Sequence, residues 1–269
     1  MLNYFQAQRL ASKEGVPEEI IEKDYLAELV LFYLAKDKNL KDKLIFRGGT
    51  ALKKVYFPEY RFSEDLDFLV EEEENLVEEK DRLDNLLQRI SNEYPFQLSA
   101  RLELPKDRLQ MFIIFNIIPE IRTAKELKID ILKDELIPSF KRKRIRFTYP
   151  EFEHEKMELN TYILESVASD KISRILDIDD EPRDLYDLWY LLNLNLDIKI
   201  IKKEFSKRHG FNIHVSNLLS EITKENFKRN WKARLERQIK NLPLFEVVMK
   251  DLKKMIEEKF MASSVGEKE

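Results

Sequence analysis

Leu44-Ile45-Phe46-Arg47-Gly48-Gly49-Thr50-Ala51-Leu52 is followed by Arg61-Phe62-Ser63-Glu64-Asp65-Leu66-Asp67-Phe68-Leu69-Val70, and these two runs decide the fold. Residues 44–46 form an apolar, strand-like run that meets two adjacent glycines, and residues 50–55 then have helical character. A second strand-like run, 66–70, opens on Asp-x-Asp. The chain has only 5 glycines, so an adjacent pair is a concentrated signal. Without a Cβ, the backbone at 48–49 can turn sharply and come close to a ligand. The helix behind the turn starts with unpaired N–H donors and the positive end of its dipole, both of which favour phosphate. Thr50 adds a hydroxyl that can cap this helix or touch a phosphate oxygen.

On a strand, Asp65 and Asp67 face the same way, about 7 Å apart along the chain. Two such carboxylates repel each other until a hard cation joins them. Mg2+ suits carboxylates combined with substrate phosphates and water. Metals held this way can activate an attacking hydroxyl and stabilise a leaving oxygen. The segment therefore reads as a site for a nucleoside triphosphate and its metal. Residues 126–132 alternate polar and apolar, which predicts a further strand with Asp130, Lys128 and Leu132 on one face. Beside the 66–70 strand, Asp130 completes a three-carboxylate site as base or shared metal ligand. Its bland alternative is an ion pair with Lys128.

The runs 44–52 and 61–67 together resemble the AbiEii/AbiGii toxin family of nucleotidyltransferases, within the DNA polymerase β-like superfamily. Ile21-Glu22-Lys23-Asp24-Tyr25 is similar to that family's N-terminal helix, and Asp170-Lys171-Ile172 and Arg183-Asp184-Leu185-Tyr186-Asp187-Leu188 to its later motifs. The resemblance implies an enzyme that moves NMP from an NTP (ATP, GTP or CTP) to an acceptor hydroxyl on RNA, tRNA included. It also implies a toxin with a cognate antitoxin. Asp65, Asp67 and Asp130 would hold Mg2+ or Mn2+. Gly48, Gly49, Thr50, Ser63 and Lys171 would bind the nucleotide. Asp187, in preference to Asp184, would be the fourth acid. The superfamily's usual Gly-Ser at the turn is Gly-Gly-Thr here. Transfer to a protein side chain, or NTP binding without catalysis, are the alternatives.

The expected fold is α/β (α+β), a nucleotidyltransferase-type mixed sheet with packed helices followed by a mainly helical domain. Residues 1–150 make the catalytic domain, and 151–269 a helical domain contributing Lys171 and Asp187. Helices are expected over 17–36, over 71–93 with the acid run 71–74 as its solvated start, over 161–177, from Pro182, and over 224–240. Strands are expected around 96–104, 109–118 and 126–132. Beyond Pro150 the pattern is almost wholly helical, and the tail from Met261 to Glu269 is expected to fray.

Hydrophobic residues make up 43% of the chain, enough for a substantial core, and charged residues 36%, which predicts a surface rich in ion pairs. The formal net charge is −4, so a globally basic nucleic-acid coat is excluded. There is no cysteine, which excludes disulfides, thiol nucleophiles and Cys-ligated zinc. His209 and His214 have the wrong spacing to share a helix face. No signal-peptide core or membrane-spanning run is read, so the expectation is a cytoplasmic protein. Two local basic patches, Lys141–Arg146 and the cations along 224–240, are candidates for RNA phosphate contact.

Overall fold

The computed structural model describes residues 1–123 and 125–262, with Ala262 described by its backbone alone. Residues 263–269, most of the tail expected to fray, lie outside the described residues. The chain divides into two compact units, Met1–Thr161 and Tyr162–Glu269.

The first unit begins with helices α1 (Tyr4–Glu14), α2 (Glu18–Lys36) and α3 (Lys38–Lys43) and the short strand β1 (Ile45–Arg47). Helix α4 (Gly48–Ala51) runs on into a π-helical turn, Leu52–Tyr56, and then comes β2 (Asp65–Glu71). After α5 (Leu76–Glu93) follow β3 (Ser99–Glu103), β4 (Arg108–Ile114), β5 (Glu126–Asp134), β6 (Phe140–Arg144) and β7 (Glu158–Tyr162). The strands form one mixed sheet in the order β3-β4-β5-β2-β1-β7-β6. β2 runs parallel to β5 and β1 parallel to β7, while β1–β2, β3–β4 and β4–β5 are antiparallel.

Strand alternation divides the sheet into two faces. Phe46, Leu66, Phe68, Val70, Leu109, Met111, Ile113, Leu127, Ile129 and Ile131 are buried members of one core. Each such side chain stabilises by about 1.5–3 kcal/mol on leaving water. The alternate residues, Arg47, Asp65, Asp67, Arg108, Lys128 and Asp130, occupy the other face.

Helix α2 is buried from Ile20 to Ala35 except at Lys23, so it is a core helix and not an amphipathic surface one. Its buried acids therefore need partners. The Glu22 carboxylate accepts from the Ile117 and Ile118 amides at 2.7 and 2.9 Å and pairs with Lys125 at 2.5 Å. Lys54 in the π-helical turn reaches both Asp24 and Glu28 at 2.7 Å. Glu28 also accepts from the Thr148 amide, and Asp24 from the Tyr149 hydroxyl at 3.1 Å. Burial pulls the Lys54 ammonium down, but the adjoining Asp24 and Glu28 carboxylates outweigh it and hold its pKa above the ordinary lysine value.

Several expectations need correcting. Glu71 ends β2, and residues 72–74 form the turn beyond it, so the acid run does not start the helix. Asn75 caps α5 instead, accepting from the Val77 amide at 3.1 Å. The basic run 141–144 lies on β6, and β7 precedes the 164–177 helix, so the chain is not yet helical after Pro150. The first unit extends to Thr161 because β7 pairs with β1, with Phe46 opposite Thr161. Five-residue strands carry too few periods to be told from a helix start.

The second unit is helical: α6 (Leu164–Asp177), α7 (Pro182–Leu192), α8 (Ile198–His209), α9 (Val215–Glu221), α10 (Glu225–Leu235) and α11 (Phe245–Ala262). Pro182 occupies the first turn of α7 as read. Helix α10 buries Phe227, Trp231 and Leu235 but stops there, short of 240, and the Trp231 indole donates to the Pro243 carbonyl at 3.0 Å. No helix among the described residues is long and apolar enough to cross a membrane.

Replacing Lys54 by Met leaves two buried carboxylates without their cation. Urea denaturation should show a loss of about 3–5 kcal/mol. A shift below 1 kcal/mol would mean that the cluster does not tie α2 to the π-helical turn.

Candidate functional site

Strand β1 passes into α4 with no intervening loop, and Gly48 makes the joint with φ +76°. A Cβ on Gly48 would lie 2.4 Å from Asp67 Oδ2. Glycine is thus required twice, by the left-handed backbone and by the carboxylate packed against it. A Cβ on Gly49 would meet Arg61 Nη2 at 2.8 Å and Ser63 Oγ at 2.9 Å. The bare backbone expected to admit a ligand is here approached by the chain's own Asp67, Arg61 and Ser63. Thr50 differs from its expected place. It is buried, and its hydroxyl donates to the Asp65 carbonyl at 2.5 Å, so it fastens α4 to β2. No side chain caps α4.

The register fixes what surrounds the acids. Asp67 stands opposite Arg47 on β1 and opposite Asp130 on β5, while Asp65 stands opposite Lys128. On β4, Gln110 is opposite Asp130. Neighbouring strands are about 4.8 Å apart, so Asp67 and Asp130 are lateral neighbours on one face. Asp65 and Asp67 are both partly exposed on that face, as the Asp-x-Asp spacing predicts.

Asp130 does not stand as an open third carboxylate. The Arg108 guanidinium grips it with two nitrogens, Nε at 2.6 Å to Oδ1 and Nη2 to Oδ2. Lys128 Nζ adds an ion pair at 2.8 Å. Burial pushes the Asp130 pKa up, but hydrogen bonds from Arg108 and Lys128 overcome it and leave the carboxyl below its ordinary value. A carboxyl so held is a weak proton acceptor near neutrality. The Arg108 pKa is raised, chiefly by the Asp130 hydrogen bond and with a contribution from Asp67. Arg108 and Arg47 are the site-face residues that sequence reading missed. The alternation Arg108-x-Gln110-x-Phe112 was available as a signal, but which strand pairs with β4 was not.

The residues suit a two-carboxylate mode of metal binding. Among the described residues no group of three or more His, Cys, Asp or Glu could hold a metal ion. Mg2+ needs only one or two carboxylates when phosphates and water fill the remaining positions, and Asp65 with Asp67 supplies that pair.

In the second unit, Lys171 is buried between two acids of α7, at 2.7 Å from both Asp184 and Asp187. Arg174 also binds Asp184, at 2.8 Å. Lys171 is nearly enclosed on α6, among the buried residues Val167, Ala168, Ile172 and Ile175. It lies inside the helix packing, where its two acids make burial tolerable.

A family model described as "Nucleotidyl transferase AbiEii toxin, Type IV TA system" matches residues 30–257. Among solved structures, the chain is similar to MenT4, a nucleotidyltransferase toxin from Mycobacterium tuberculosis H37Rv, with a TM-score of 0.63 and 13% identity. The superposition covers 94% of this chain and 88% of the other, and at that identity it shows a shared fold. No curated protein matches the chain.

Two outcomes follow from the geometry. Gly48→Ala forces a left-handed alanine against Asp67, and denaturation should show a loss of about 1–3 kcal/mol. An unchanged midpoint would mean that the turn relaxes freely. For Asp130, a folded pKa below the unfolded one means stability is present above the unfolded value, near ~3.9. It is lost as pH falls through the folded value. Wild type should therefore lose stability more steeply than Asp130→Asn as pH falls below about 4; parallel curves would remove Arg108 and Lys128 as the cause of the shift.

Proposed function

The chain belongs to the AbiEii family of nucleotidyltransferase toxins, and on that premise we propose that it transfers NMP from an NTP to a hydroxyl of an RNA acceptor, tRNA included. One observation carries the reading at the level of residues. Asp65 and Asp67 share a sheet face, and Asp67 lies against the backbone of the Gly48 turn.

In this reading Asp65 and Asp67 hold a divalent cation, Mg2+ or Mn2+. When bound, such an ion supplies charge neutralisation at the phosphates and lowers the pKa of an attacking hydroxyl. The chain's own part is positioning and charge. Gly48 and Gly49 let Asp67, Arg61 and Ser63 pack directly against the turn, so that a carboxylate, a guanidinium and a hydroxyl stand together where phosphates would approach. Thr50 acts indirectly, because its bond to the Asp65 carbonyl fixes the strand that carries both acids. Arg108 and Lys128 supply positive charge next to the acids, suited to a polyanionic substrate. Asp130 orders those two cations, and its depressed pKa favours this role or that of a metal ligand over that of general base. For Lys171 at the triphosphate and Asp187 as the fourth acid, the support is the family resemblance alone. A cognate antitoxin is the partner that membership of a toxin family suggests.

The test is incubation of the full chain with labelled NTPs, Mg2+ and total RNA. Asp67→Asn removes several kcal/mol of transition-state stabilisation, so labelling should fall by roughly 100-fold or more. Equal labelling by wild type and variant would remove the acids from the mechanism. Label that survives nuclease but not protease would move the acceptor from RNA to protein.

A further inference from the structure

The helical segment that begins at the glycine turn ends at Tyr56, and there the first unit carries a second concave site. A pocket of about 700 Å³ is lined by Tyr56, Pro58, Lys143, Arg144, Arg146 and Glu153, among others. The glycine turn and Tyr56 are the two ends of one segment, about 12 Å apart along its axis.

The pocket's cations are unusual for this chain. Arg142 pairs with Asp42 at 2.8 Å. On the same strand, Lys143 and Arg144, which line the pocket, have no carboxylate partner among the described residues, in a protein whose net charge is −4. Lys143 Nζ sits 5.8 Å from the centroid of the half-buried Tyr56 ring. The wall behind them is fixed, because the Arg146 amide donates to the Lys54 carbonyl at 2.6 Å and its Nε to the Val55 carbonyl at 3.2 Å. Glu153 is the opposing charge on the rim, and it pairs with His154 at 3.3 Å.

We infer that this pocket docks a single-stranded segment of RNA, with Lys143 and Arg144 on phosphates and Tyr56 under a base. The inference rests on the RNA-acceptor reading and adds a binding site for it. Cations interleaved with an aromatic face are what single-stranded nucleic acid requires, since phosphates give charge and every base a π-face. Edge-strand protection also explains lysines on β6, the last strand of the sheet. It does not explain why Lys143 approaches an aromatic ring at the end of the glycine-turn helix, with Arg144 lining the same pocket.

Fluorescence anisotropy of the full chain with a labelled mixed-sequence single-stranded oligoribonucleotide tests this, with polyphosphate and an acidic peptide as the other probes. The double variant Lys143→Glu/Arg144→Glu should bind the oligoribonucleotide at least ~10-fold more weakly, and the slope of log K against log salt should fall by roughly 1.4. Tyr56→Leu should weaken oligoribonucleotide binding ~5-fold or more and leave polyphosphate binding unchanged. Asp67→Asn should bind the RNA at least as tightly as wild type. Unchanged RNA binding in both pocket variants overturns the site. So does tighter binding of the acidic peptide that the same variants abolish. Full RNA labelling by the double variant would remove the docking site and leave the acceptor reading intact. Pocket-dependent RNA binding with no labelled RNA would do the reverse.

Discussion

A buried ammonium group, Lys54, fixes the geometry on which the rest of the first unit depends. It is fully enclosed, and Asp24 and Glu28 of α2 hold it from two sides. The same acids take hydrogen bonds from residues 148 and 149, so one cluster joins α2, the π-helical turn and the chain beyond β6. Buried ion clusters add little net stability over apolar packing, because desolvation offsets most of the attraction. Their effect is orientation. With Lys54 held, the segment that starts at Gly48 has one direction, and Gly48 is pressed against Asp67.

Much of this was legible because period-2 and glycine signals are local. The runs 44–52, 61–70 and 126–132 account for three of the four strands that carry the site face, and put Asp65 with Asp67, and Asp130 with Lys128, on shared sides. Partners from elsewhere in the sequence were not legible. Arg108 reaches Asp130 across 22 positions, through a strand pairing that no local pattern encodes. Thr50 looked like a cap because it follows the glycines, but the helix starts two residues earlier, at Gly48. The acid run 71–74 looked like a helix start because the positive end of a helix dipole stabilises acids, yet Asn75 is the residue that caps α5. β7 was hidden by its brevity, and with it the true end of the first unit.

Cations border the acids on the site face, with Arg47 opposite Asp67, Lys128 opposite Asp65, and Arg108 on Asp130, while Asp67 and Asp130 stand side by side. Such a face can keep several carboxylates close without a cation from solution. The depressed pKa of Asp130 records that balance. A protein with 36% charged residues has much charge on its surface, but here the register sets which charges meet.

The acids of α2 close contacts over very long stretches of chain. Glu22 finds its partners 95 to 103 positions downstream, and Glu28 meets Thr148 across 120. During synthesis, a ribosome has already made the glycine turn and both acids of β2 when most of those partners are still untranslated. The Lys54 clamp itself lies within the first 54 residues, but it gains its last donors, from Thr148 and Tyr149, only near the end of the first unit. A chain stopped short of residue 148 carries the glycine turn and its Lys54 clamp but lacks the Thr148 and Tyr149 groups that complete the hydrogen bonding of Glu28 and Asp24.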